Sequence, residues 1–266
     1  MLVLLSLISC ALMISCEDVI NVALKDASPR LVIEGKITNL SDSLKVMLHK
    51  STDYFTPKDI VSVTNGTVSL SDSKGNIYLL SNNQNGIYST ANIHALPGDI
   101  FTLDLTVDGI GYSAGSVMPG IVNIDTITVD NRPDRKKENR INIYAKDPAG
   151  IANYYQIKVF KNDTLLNNSN HYILYSDKFY DGKSIIITIN ARRFDLPRFE
   201  PKDRIKVQLF NIDKTMYDYY KILHDITDEG NLLSASTPSN PPNNLSNGAL
   251  GYFAAMSVSE KSITVK

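Results

Sequence analysis

Between Phe101 and Val107 every second residue is apolar and the intervening ones are polar, so a strand there buries one face and wets the other. Further strands are expected at Leu31–Ile37, Val46–Leu48, Thr67–Leu70 and Ile77–Leu80. Turn chemistry separates these runs at spacings of about ten residues: Asn65-Gly66, Lys74-Gly75-Asn76, Asn85-Gly86 and Pro97-Gly98-Asp99. Asp108-Gly109 after the clearest strand predicts a hairpin, because a type I′ turn needs positive φ at both central residues. About seven short strands without a helix, over residues 30–119, predict an immunoglobulin-like β-sandwich.

Met118-Pro119-Gly120 marks a boundary, and residues 120–266 read as a second β-rich domain. Its strands are expected at Asp125–Val129, Ile141–Ala145, Tyr154–Phe160, His171–Tyr175, Ile185–Ile189 and Arg204–Phe210. Two closing strands are expected at Gly248–Ala255 and Ser262–Val265. The loop from Asn131 to Arg140 is rich in Lys and Arg and reads as solvated. One helix breaks the β pattern. From Asp213 to Thr227, Met216, Tyr220, Leu223 and Thr227 fall at three- and four-residue steps, with Asp213 placed to cap the start and Gly230 to end the segment. Its tyrosines read as the face packed on the sheet rather than a ligand platform.

The first residues follow a different rule. An apolar run from Leu2 to Met13 ends at Ile14-Ser15-Cys16 and is followed by Glu17-Asp18. As a helix it would rise about 21 Å, short of the roughly 30 Å hydrocarbon core of a bilayer. It reads as a lipoprotein export signal over residues 1–15, with Cys16 as the lipidation site and residues 16–29 as a tether. Leu7-Ile8-Ser9-Cys10 is a competing box, but cleavage there would leave further apolar residues at the mature N-terminus. With Cys10 removed and Cys16 acylated, no free thiol remains for disulfides, thiolate catalysis or zinc.

Composition narrows the function classes. The chain has 266 residues, 27 basic against 28 acidic, a formal net charge of -1, 14 Tyr and no Trp. That balance supplies no field for nucleic acid, and the abundance of Tyr, Ile, Val and Thr suits pleated strands. Gly111-Tyr112-Ser113-Ala114-Gly115 spells the nucleophile elbow of serine hydrolases, but the elbow needs a strand before it and a helix after it in an α/β sheet. Here a hairpin precedes it and Met118-Pro119-Gly120 follows, so Ser113 is expected to be structural. His49, His94, His171 and His224 are widely spaced and make no metal motif. Asp177 and Asp181 lie in a loop that could hold a cation through two carboxylates, but it reads as a turn closed by Gly182. No catalytic residue, cofactor or metal is expected.

Several stretches, in order, resemble a family of Bacteroidota lipoproteins known as domain of unknown function 4249. They are Cys16-Glu17, Leu31-Val32-Ile33-Glu34-Gly35, Gly86-Ile87-Tyr88, Tyr112-Ser113-Ala114, Asn153-Tyr154-Tyr155, Asp181-Gly182, Pro241 to Asn244, and Asn247-Gly248-Ala249-Leu250-Gly251-Tyr252-Phe253. The resemblance implies a lipoprotein of the outer membrane, facing the surface or the periplasm and often encoded beside TonB-dependent receptors. It also gives Glu17-Asp18 a meaning as a surface-export signal, and it carries over no catalytic residue. The expected function is a non-enzymatic outer-membrane lipoprotein accessory to a TonB-dependent transporter, through ligand or receptor binding. The alternatives are an adhesin or fimbrial component matured after Arg30, so that the chain begins at Leu31, and an envelope serine hydrolase using Ser113.

Overall fold

The computed structural model describes residues 28–52, 60–130, 140–167, 172–191, 193–194, 196–227 and 240–266. Seven strands fill the first half: β1 (Leu31–Thr38), β2 (Leu44–Lys50), β3 (Thr67–Asp72), β4 (Ile77–Asn82), β5 (Ile87–Thr90), β6 (Ile100–Val107) and β7 (Ile110–Val117). The alternation that predicts β6 is also its burial pattern, with Phe101, Leu103, Leu105 and Val107 inside. Asp108 (φ 51°) and Gly109 (φ 79°) both take positive φ in the turn between β6 and β7, as the type I′ hairpin requires.

The second half contains β8 (Ile124–Asp130), β9 (Arg140–Lys146), β10 (Tyr154–Lys161), β11 (Thr164–Leu165), β12 (Ile173–Ser176), β13 (Ser184–Asn190), β14 (Arg204–Ile212), helix α1 (Lys214–Thr227) and β15 (Leu250–Thr264). A sheet of three strands, β13-β9-β8, packs on one face of β10 and β14, burying Ile143, Ile187, Tyr155, Ile157, Val207 and Leu209 between the layers. Alternation puts Tyr154, Phe210 and Ile212 on the opposite face, where α1 covers them. Asp213 caps α1 by accepting a hydrogen bond from the N–H of Met216 at 2.8 Å. Met216 and Tyr220 are the buried stripe, with Leu223 packed beside them, and Gly230 lies outside the described residues.

One strand joins the halves. Where two closing strands are expected, the chain forms a single strand of 15 residues, β15. The polar run Ser257 to Lys261 looks like a break, but Ser257 is buried and donates its hydroxyl to the carbonyl of Gly120 at 2.7 Å. Residues 250–256 of β15 pair in parallel with β1, and residues 257–264 pair antiparallel with β14. The longer sheet therefore runs β11-β10-β14-β15-β1-β2-β5-β4-β3-β6-β7, with β12 also on β10. Consecutive residues of β15 serve different cores: Phe253 and Ala255 enter the first, while Tyr252, Ala254, Met256 and Val258 lie under α1. The segment 248–255 is thus a core strand of both halves, not of the second alone. Gly251 permits the pairing, since it has φ 98° and a Cβ there would sit 2.1 Å from the carbonyl oxygen of Ile33.

Candidate functional site

The edges of the first sandwich are closed by side chains. Beyond its contact with β1, the first half of β15 presents a second edge that no strand occupies, because β14 pairs only from Ser257 onward. Asn244 fills part of it: its amide donates to the carbonyl of Phe253 at 2.8 Å and accepts from the N–H of Phe253 at 3.2 Å. The same amide donates to the carbonyl of Gly115 on β7 at 2.9 Å, and Ser116 Oγ accepts from the N–H of Ala255 at 2.9 Å. Asn247 donates to the carbonyl of Gly111, so residues 244–247 strap the free edge of β7 to β15. An open edge is a template for another chain's strand, and the strap removes it.

Ser113 lies inside this strap. On β7 it is paired across from Asp104 of β6, its N–H donates to Ser246 Oγ at 2.8 Å, and its carbonyl accepts from the N–H of Ser246 at 2.9 Å. The motif is mid-strand, with no helix after it, and the Ser113 hydroxyl makes no hydrogen bond among the described residues. A shallow recess of about 370 Å³ on the outer face of β3, β6 and β7 is lined by Ser69, Asp104, Tyr112, Ser113 and Ser246 among others, with no imidazole in its wall. His49 is on β2, His94 is exposed, His224 is on α1, and His171 lies outside the described residues. Cys10 and Cys16 and most of the residues from Asn131 to Arg140 also lie outside them.

The tyrosines around α1 are packed, as their spacing predicts. Tyr172 stacks on Tyr220 at 4.6 Å between centroids, Tyr219 meets Tyr252 at 5.5 Å, and Tyr154 meets Tyr217 at 5.2 Å. Burial pushes the hydroxyls of Tyr219, Tyr220 and Tyr252 well above the ordinary tyrosine range. They are neutral side chains that hold the helix to the sheet. Tyr252 reaches the helix cap directly, donating its hydroxyl to Asp213 at 2.8 Å.

A second polar constellation sits at one end of the second sandwich. Asp147 follows β9, and Asp177 and Asp181 belong to the β12–β13 connection. Their carboxylate oxygens approach within 4.8 Å of one another, with Asp147 and Asp177 buried and Asp181 exposed. Backbone and hydroxyl donors orient each one. Tyr155 donates its hydroxyl to Asp147 Oδ1 at 2.7 Å, Asn153 donates its N–H to Asp177 Oδ2 at 2.7 Å, and Gly150 donates its N–H to Asp181 Oδ1 at 2.8 Å. Gly182 (φ 70°) closes the turn as expected, and a Cβ there would meet Ala149 Cβ at 2.7 Å, so the glycine lets the two loops touch. Burial pushes the Asp177 carboxyl above its usual range, and the charges of Asp147 and Asp181 push it the same way. Asp177 and Asp181 are visible as a pair in the sequence. Asp147, thirty residues earlier, joins them only through the pairing of β9 with β13.

Two joined β cores with, among the described residues, one surface helix define a mainly β, sandwich-type protein. The chain belongs to the family described as Domain of unknown function (DUF4249), whose model matches residues 17–262. A comparison with curated proteins finds no match. Among solved structures, a segment of two fibronectin type III domains from chicken tenascin is 9% identical, covering 69% of this chain and 90% of that one at a TM-score of 0.23. A chicken TCR is 8% identical over 68% of this chain and 91% of that one, also at 0.23. The adhesin InvE of Yersinia pseudotuberculosis is 14% identical over 68% of this chain and 56% of that one, at 0.21. With superpositions this loose, the sandwich architecture rests on the chain's own strands and cores.

Proposed function

We propose that this protein is a non-enzymatic lipoprotein of the bacterial outer membrane, anchored through Cys16, that assists a TonB-dependent transporter by binding its substrate or the receptor itself. The observation that carries the reading is where the family match begins: at Glu17, one residue after Cys16. In this reading the apolar run before that cysteine, too short to span a bilayer, is the leader, and residues 16–29 are the tether to β1. A lipid anchor of several acyl chains holds a protein at a membrane, at about 0.8 kcal/mol per buried methylene.

The surface supports binding rather than chemistry. Ile77 and Leu79 on β4 are each 72% exposed, and Met47 and Ile87, cross-strand neighbours on β2 and β5, also reach solvent. Apolar side chains left in solvent on strands are available to a partner. The experiment has two arms. Cys16→Ser should release the protein from membrane fractions or leave it unprocessed, and labelled palmitate should no longer be incorporated. Purified lipoprotein should retain a TonB-dependent receptor from envelope extracts. Incorporation of palmitate by Cys16→Ser but not by Cys10→Ser would move the anchor to Cys10, and retention of neither receptor nor nutrient would sink the accessory role.

A further inference from the structure

The three carboxylates at the end of the second sandwich have no cation among the described residues. Among the described residues no ion pair joins Asp147, Asp177 or Asp181 to a Lys or Arg. Carboxylates this close repel one another, and two of them are buried where water screens them least. The β9–β10 connection that follows Asp147 also carries an unsatisfied oxygen. Asn153 is 5% exposed, and its side-chain oxygen is buried with no hydrogen-bond partner. Asn153 is fastened to the cluster twice, donating its N–H to Asp177 Oδ2 at 2.7 Å and accepting at its carbonyl from the N–H of Asp177 at 3.2 Å. The side-chain oxygen of an asparagine lies within about 5 Å of its own backbone nitrogen. A buried acceptor without a donor is therefore carried by a residue whose backbone is bonded to Asp177, and buried polar groups are ordinarily satisfied.

We infer that Asp147, Asp177, Asp181 and the side-chain oxygen of Asn153 form a calcium site. The donor set is all oxygen, which selects a hard cation and leaves out the metals that favour imidazole or thiolate. Oxygens bound to one calcium at about 2.4 Å lie within about 4.8 Å of each other, and the three carboxylates meet that limit. The ligands come from two loops with an exposed side at Asp181, an arrangement that suits the flexible coordination of calcium better than the rigid octahedron of magnesium. The loops are already set. Gly182 sits against Ala149, the N–H of Gly182 donates to Asp147 Oδ2 at 3.2 Å, and the N–H of Asp147 donates to the carbonyl of Lys183 at 3.0 Å. Bound calcium would clamp the β9–β10 connection to the β12–β13 connection and offset the repulsion that the fold otherwise carries.

The full-length chain, purified in detergent and stripped with chelator, is tested with calcium, magnesium and terbium chlorides. Equilibrium dialysis should show one calcium per chain, with a dissociation constant of about 10⁻⁴ to 10⁻³ M, the range of extracellular modules. Melting should shift upward with calcium and much less with magnesium. Terbium emission excited through tyrosine should appear and be displaced by calcium, because Tyr155 is bonded to Asp147 and the chain has no Trp to compete. Asp181→Asn, at the exposed position, should fold normally and weaken calcium binding at least tenfold. Asp177→Asn should do the same with stability in chelator unchanged or raised. The site is overturned if the wild-type chain holds no calcium at about 10 mM, or if Asp181→Asn binds as tightly as wild type. Equal shifts with magnesium and calcium would overturn the choice of metal.

Discussion

Phe253→Ala tests whether the two cores are one cooperative unit. Phe253 is fully buried on β15, facing the first core, and its ring lies 3.1 Å from where a Cβ on Gly35 would be. A neighbour that close is a glycine that admits the ring, so the cavity left by alanine cannot be filled from that side. Truncating a buried Phe costs about 3 to 5 kcal/mol. At roughly 2 to 4 °C per kcal/mol for a chain of this size, the midpoint should fall by about 6 to 20 °C. The diagnostic is the shape of the transition. The adjacent residue, Tyr252, packs under α1 and the strand continues into its pairing with β14, so loss of the first core strips one edge of the second. Calorimetry of Phe253→Ala should show both halves melting together at a lower temperature. Two separate transitions, with only the earlier one shifted, would refute the coupling through β15, and a loss below about 1 kcal/mol would refute the packing argument.

Asn244→Ala removes three hydrogen bonds and leaves the buried-edge N–H of Phe253 unpaired, so it should cost roughly 2 to 3 kcal/mol in a denaturant titration and speed hydrogen exchange at the Phe253 amide. Asp203→Asn should flatten the acid limb of the stability curve. The Lys161 ammonium bonded to Asp203 lowers its carboxyl from 3.8 to about 2, with the N–H of Glu200 and the amide of Asn162 adding to it. A folded value below the unfolded one means that this stabilisation is full above about pH 4 and lost as pH falls toward 2, and an unchanged acid limb in the variant would refute it. Ser113→Ala keeps both backbone bonds to Ser246, so denaturant stability should change by no more than about 1 kcal/mol. Fluorophosphonate labelling of the wild type that disappears in Ser113→Ala would instead revive the hydrolase reading.

The features legible in the sequence are local ones. Period-two alternation marks β6, β8, β9, β13 and β14, and Asp108-Gly109 marks its turn, because each depends only on neighbours in the chain. The cap at Asp213 and the stripe of Met216 and Tyr220 are legible for the same reason. β5 escapes the pattern, since Ile87 to Thr90 is only four residues with Tyr88 alone fully inside. β15 reads as two strands, since Ser257 and Ser259 look like a loop until their partners, Gly120 and Val122, are in place. Asp147 is silent because nothing near it in the chain suggests that β9 and β13 bring it to Asp177 and Asp181. Long-range pairing is the information that single-residue preferences do not carry.

The arrangement of β15 also explains why polar residues are concentrated just before it. A strand that changes partners midway leaves one edge of its first half open, and β7 leaves another. Asn243, Asn244, Ser246 and Asn247 have short side chains that donate and accept at main-chain spacing, so this segment can bond edges that a regular strand does not reach. Apolar residues there would leave the carbonyls of Gly111 and Gly115 and both polar groups of Phe253 without partners. An unstrapped edge would invite pairing with neighbouring chains. The asparagine-rich segment is therefore part of the fold, and its loss should expose the first core to association before it unfolds it.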